Sequence, residues 1–155
     1  MKILFISESF PFPPDSGSKA RIWYFIQGLA KSHEVFLLTF DGGATPEFIE
    51  QVEKYCEVYL CRTPAPLNPP TKLLNFFSFT PLGVWRRKSK EFSAAVRKVV
   101  EEQSIDCIFV VEIWMAQYAF DLPVYRVIDK HNIEFVRAER RLNVLANAAY
   151  WKEFL

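Results

Sequence analysis

Five short apolar runs, separated by stretches of helical periodicity, constrain this chain more than any other feature. The runs cover residues 3–7, 34–40 (EVFLLTF), 57–62, 105–111 and 123–128. An apolar run without polar alternation is the pattern of a strand covered on both faces, as in a parallel sheet. Between the runs, Ile22, Phe25, Ile26 and Leu29 recur at helical spacing. So do Phe48, Ile49 and Val52, and then Phe92, Ala95, Val96, Val99 and Val100. Strand and helix in regular alternation imply parallel strands joined by right-handed crossovers. The chain is therefore expected to fold as an α/β, Rossmann-like open parallel sheet of about five strands with helices on both faces. The third run is the least apolar and belongs nearer an edge.

Local punctuation agrees with this division. Lys31-Ser32-His33 ends the first helix, and Thr45 caps the second with Pro46 at its first position. Residues 63–71 (TPAPLNPPT) are too rich in proline for regular structure and read as a linker. Residues 72–85 are aromatic-rich, 113–120 form a short helix, and 133–155 are helical again. That last helix has no cap and no later strand to cover its apolar side. Residues 1–155 are therefore expected to be a truncated N-terminal domain, with a further domain missing.

With 155 residues, half of them apolar, the chain can build a full core, and disorder is excluded. A net charge of +1 leaves no overall nucleic-acid footprint. The odd cysteine count and the spacing of Cys56 and Cys61 match no zinc pattern. Cys61 and Cys107 fall in strand-like runs, where a reduced thiol acts as a small hydrophobe. These features point to a reducing, cytoplasmic compartment. The first apolar run is too short for a signal peptide and is interrupted by Glu8. No apolar stretch reaches the roughly 20 residues that span a bilayer.

Doubly wound sheets bind ligands at the carboxyl ends of their strands, where strand order reverses. Three candidates fall at such ends. In the loop Asp15 to Arg21, Gly17 and Ser18 open the backbone at a helix N-terminus, and Lys19 and Arg21 add positive charge. That loop either binds phosphate or is a capped helix start with solvated cations. Only Gly17 of a G-x-G-x-x-G fingerprint is present, which disfavours dinucleotides. Asp129-Lys130-His131-Asn132 follows the fifth run; His131 can move a proton or bond a hydroxyl, or it can simply organise the turn with Asn132. Glu112 ends the fourth run and either binds hydroxyls or is a satisfied polar residue. Residues 72–90 mix aromatics with Lys72, Arg86, Arg87, Lys88 and Lys90. They suit an anionic membrane surface or a lipid-linked substrate, or an amphipathic pair of helices with a charged outer face. His33 is read as structural.

The stretch MKILFIS…PFPPDSGSKARIWYFIQGLAKSHEVFLLTF resembles the start of retaining GT-B glycosyltransferases of the family 4 group. FTPLGVWRRKSKEFSAAVRKVV and PVYRVIDKHNIEFVRAERRL resemble later segments of that family, in the same order. The resemblance implies two Rossmann-like domains facing across a cleft, the N-terminal one binding the acceptor and the C-terminal one the nucleotide sugar. This chain matches only the first, so the fragment alone is expected to be inactive. On this likeness Gly17 faces the donor pyrophosphate, and Ser18 stands where a second glycine is common. His131 lies by the transferred sugar as the catalytic residue, supported by Asp129 and Asn132. Glu112 falls in a region that lines the acceptor side but matches no named residue of the family; with Lys19 and Arg21, taken from their charge, it completes the substrate-binding set. The implied partners are a nucleotide sugar, a glycan, lipid-linked or small-molecule acceptor, and the missing domain, with no nucleic acid. No cofactor and no metal are expected, and residues 72–90 would give peripheral contact with the inner face of a membrane. A non-catalytic Rossmann-like binding module is the alternative from another class.

Overall fold

A computed structural model describes residues 1–66 and 82–130, the side chain of Leu82 excepted. The chain begins with strand β1 (Lys2–Ser7), helix α1 (Gly17–Leu29), strand β2 (Glu34–Phe40), helix α2 (Pro46–Glu53) and strand β3 (Glu57–Cys61). It continues through a short helix α3 (Leu82–Trp85), helix α4 (Lys90–Gln103), strand β4 (Cys107–Val111), a 3-10 helix (Ile113–Tyr118) and strand β5 (Tyr125–Asp129). The strands form one open parallel sheet in the order β3-β2-β1-β4-β5. This is the Rossmann-like α/β architecture that the alternating pattern implied.

The three inner strands, β2, β1 and β4, are the most apolar because each is covered on both faces. Leu4, Phe5 and Ile6 of β1 are fully buried, as are Ile108 and Val110 of β4. One face packs against α4 and the 3-10 helix through Leu4, Ile6, Phe92, Val96 and Met115. The other packs against α1 and α2 through Phe5, Ile22, Ile26 and Val52. Phe92 sits between Phe40 and Tyr118, at ring-centroid distances of 4.6 Å to each. Each such side chain taken out of water contributes about 1.5–3 kcal/mol.

Helix ends follow the expected chemistry. The Thr45 hydroxyl accepts from the Phe48 N–H, and the Ser89 hydroxyl accepts from the Phe92 N–H. Ser104 ends α4 in the left-handed region at φ 52°, and Ile105 N–H bonds back to Val100 O. That turn uses Ile105, so β4 starts at Cys107 rather than at 105. The fifth strand is shifted as well. Pro123 has no N–H for the ladder, and pairing runs from Tyr125 to Asp129, which places Asp129 in the strand and not beyond it. β5 is an exposed edge, with Tyr125 at 80% and Val127 at 46% exposure. The linker and aromatic segment lie outside the described residues beyond Pro66, up to α3, and so does the helix expected over 133–155. Among the described residues, no helix is long and apolar enough to cross a membrane.

Candidate functional site

Strand order reverses between β1 and β4. The chain leaving β1 runs through α1 to β2, and the chain leaving β4 runs through the 3-10 helix to β5 on the other side. Ile6 pairs with Val110, so extending the register two residues brings Glu8 level with Glu112. Both carboxylates therefore stand at the crevice that doubly wound sheets use for ligands. Glu112 is held there at φ 74°, ψ 131°, a backbone conformation that favours glycine. Such a residue stores about 1–3 kcal/mol of strain and is retained where the surrounding structure enforces it. Its N–H donates to Asp129 O at 3.3 Å, which ties the end of β4 to the end of β5.

Two more side chains close around the pair. The Trp114 indole N–H donates to Glu8 Oε2 at 2.9 Å and to Glu112 Oε2 at 3.0 Å. Arg87 Nε lies 2.5 Å from Glu8 Oε2, and its guanidinium sits over the Trp114 ring at 4.4 Å. Burial, the Glu8 charge and a hydrogen bond shared with Glu8 push the Glu112 carboxyl up to about 7, against the pull of Trp114 and Arg87. The pair thus holds one proton below neutrality and can both donate and accept hydrogen bonds.

Beside it lies a cleft of about 350 Å³, at the carboxyl ends of β1, β2 and β3. Glu8 and Arg87 form the wall shared with the carboxylate pair, and Thr63, Pro64 and Pro66 form the opposite side. Its volume falls in the range of small-molecule sites, roughly 300–1,000 Å³. A larger, wider-mouthed concavity of about 840 Å³ opens at the amino ends of β4 and β5. Its charged residues are committed to backbone groups: Asp106 accepts from the Lys2 N–H and Arg126 donates to Phe120 O. The chemistry is concentrated at the carboxyl edge.

The residues singled out from sequence are distributed along that edge. Gly17 opens α1 with free space around its Cα, and Ser16 at the helix cap makes no side-chain capping bond. Ser18 is half-buried in the first turn. Lys19 Nζ lies 3.0 Å from Asp15 Oδ1, a local pair within one turn. Arg21 grips Asp129, with Nη2 donating to Oδ1 at 2.8 Å and Nε at 2.6 Å from Oδ2. The Nε hydrogen is not aimed at Oδ2, so among the described residues that buried oxygen accepts no hydrogen bond. The cations expected to add positive charge to a phosphate loop are thus matched by carboxylates. Asp129 and Glu112 are brought together through the backbone. His131 and Asn132 lie outside the described residues. His33 sits at the amino edge, its Nδ1 buried without a described partner.

Sequence reasoning passed over Glu8, Arg87 and Trp114. Glu8 stood alone in the sequence, and its partner lies 104 positions away. The usable signal was that a carboxylate closely follows the first and the fourth apolar runs. Arg87 was read only as one of the basic residues of 72–90, in contact with an anionic surface or lipid-linked substrate or on a charged outer face, yet its side chain is only 19% exposed and turns inward. Among the described residues, no three His, Cys, Asp or Glu side chains gather as metal ligands. No protein-family model matches the chain, and no curated protein matches it.

Proposed function

We propose that this chain is the acceptor-side domain of a nucleotide-sugar-dependent retaining glycosyltransferase. The observation that carries the proposal is the convergence of Glu8, Glu112, Trp114 and Arg87 at the switch point beside a ligand-sized cleft. A proton-sharing carboxyl pair bonds sugar hydroxyls as donor and as acceptor at once. In this role the domain orients the acceptor hydroxyl and excludes water. The ordered resemblance to family 4 enzymes supplies the reaction class, and a second domain would supply the donor.

The test is a titration of the 15N-labelled chain with a panel of hexoses, oligosaccharides, glycosyl phosphates and nucleotide sugars. Acceptor-type glycans are expected to shift the Trp114 indole N–H signal at millimolar concentration, and Glu112→Gln is expected to weaken that response several-fold. A panel that leaves the Trp114 signal in place would overturn the proposal. Turnover of a nucleotide sugar by residues 1–155 alone would refute the division of labour between two domains.

A further inference from the structure

We infer that Arg87 is the positioning residue of this site: its guanidinium holds the Glu8 carboxylate where Glu8 and Glu112 face one another. The inference rests on the proposed sugar-binding role for its ligand, but the arrangement can be tested with no ligand present.

Arg87 is fixed at both ends. Its N–H donates to Val84 O at 3.2 Å, and its carbonyl accepts from the Tyr118 hydroxyl. That hydroxyl in turn accepts from the Ser89 N–H at 2.9 Å. At the other end, Nη1 donates to Gly83 O at 2.8 Å while Nε meets Glu8. The guanidinium plane lies over Trp114, whose own N–H reaches both carboxylates. Only a planar, multi-donor cation satisfies these contacts together. Its neighbours Arg86, Lys88 and Lys90 are exposed, so among the described cations of this stretch the inward turn belongs to Arg87.

The charges that bear on Glu112 are Glu8, at the exit of β1, and Arg87. From β5, Asp129 offers its backbone carbonyl, and its carboxylate is held by Arg21 on α1. Arg87 is thus the cation that pairs with Glu8 beside a second carboxyl. Without it, the pair would hold its proton to higher pH and Glu8 would be free to swing into the cleft.

The experiment follows the Trp114 indole N–H cross-peak, assigned by its loss in Trp114→Phe, across a pH titration of the whole chain. In the wild type the midpoint is expected near 7, where the Glu112 carboxyl titrates. Arg87→Gln should raise the midpoint by about one pH unit, the low end of the effect of a nearby opposite charge. Arg87→Lys, which keeps the charge but not the fork of donors, should restore only part of it. An unmoved midpoint in Arg87→Gln, with the remaining amide spectrum unchanged, overturns the inference. Should Arg87→Gln fail to fold, Glu8→Gln tests the same pair from the other side. Its midpoint should fall toward the ordinary carboxylate range, and a midpoint still at the wild-type value overturns the inference. Failure of sugars to shift the cross-peak would count against the proposed ligand and leave this titration result standing.

Discussion

Replacing Glu112 by glycine should stabilise the fold, and the gain should depend on pH. The residue sits at φ 74°, ψ 131°, where a Cβ is unwelcome. Relief of that strain is worth about 1–3 kcal/mol. The greater freedom of glycine in the unfolded chain takes back about 0.4–1 kcal/mol. The lost bond from Trp114 costs on the order of 1 kcal/mol, because the same N–H keeps its 2.9 Å bond to Glu8. The charge adds a further contribution. The folded-state pKa is raised from 4.5 to about 7. The contribution of this group to stability is therefore full below pH 4.5 and is lost as pH rises through about 7. At roughly 1.4 kcal/mol per pH unit the whole shift would be worth about 3 kcal/mol. Solvent access to a half-buried carboxyl reduces this to about 1–2 kcal/mol. Glu112→Gly should then be about 1–2 kcal/mol more stable than wild type at pH 8, and near parity at pH 4.5. Glu112→Gln removes the charge but keeps the strain and the Trp114 bond, so it should gain about as much at pH 8 and nothing at pH 4.5. Urea unfolding followed by far-ultraviolet circular dichroism at both pH values measures all three proteins. A glycine variant no more stable than wild type at pH 8, or less stable than wild type by more than about 1 kcal/mol at pH 4.5, would refute the strain argument. Stabilisation with loss of sugar binding would be the usual trade at a site held in strain.

Other tests bear on the frame that carries the site. Arg21→Ala leaves Asp129, a side chain only 10% exposed, without its cation, and should cost about 1–2 kcal/mol, discounted because Arg21 itself is 46% exposed; a loss under about 0.3 kcal/mol in urea unfolding would show the pair to be incidental. Phe92→Ala empties a fully buried position between Phe40 and Tyr118 and should cost about 3–5 kcal/mol, and a midpoint near wild type would mean that the cluster collapses freely. Burial pushes the Cys56 thiol up to about 12 and Cys61 up to about 11, and raises Cys107 as well. All three should therefore resist a thiol reagent at pH 8 until the chain unfolds, and a thiol that reacts at once in the native state would contradict their burial.

Much of the frame was legible because it depends on local periodicity. The apolar run of β1 needs cover on both faces whatever lies beside it, and the Thr45-Pro46 signal marks a helix start by its own hydrogen bond. Boundaries were less legible where backbone competition decided them. Ile105 reads as strand from its side chain, but the left-handed turn at Ser104 claims its N–H for Val100. Asp129 reads as loop because it is charged, yet it pairs with Val111 as the last residue of β5.

By itself, the order of apolar runs and helical stretches determined the sheet, its parallel sense and the edge where ligands would sit, because burial of backbone and side chain leaves few other solutions. It also placed Gly17, Arg21, Glu112 and Asp129 along that edge. Only the tertiary structure decided what those side chains meet. Arg21 and Lys19 spend their charge on carboxylates, and Glu112 finds Glu8 through the strand register across more than a hundred residues. Arg87 turns inward while its neighbours Arg86, Lys88 and Lys90 face solvent. Charge and hydrogen-bond pairing act across space at a few ångströms, and periodicity along a chain carries no record of which distant partner comes within that range.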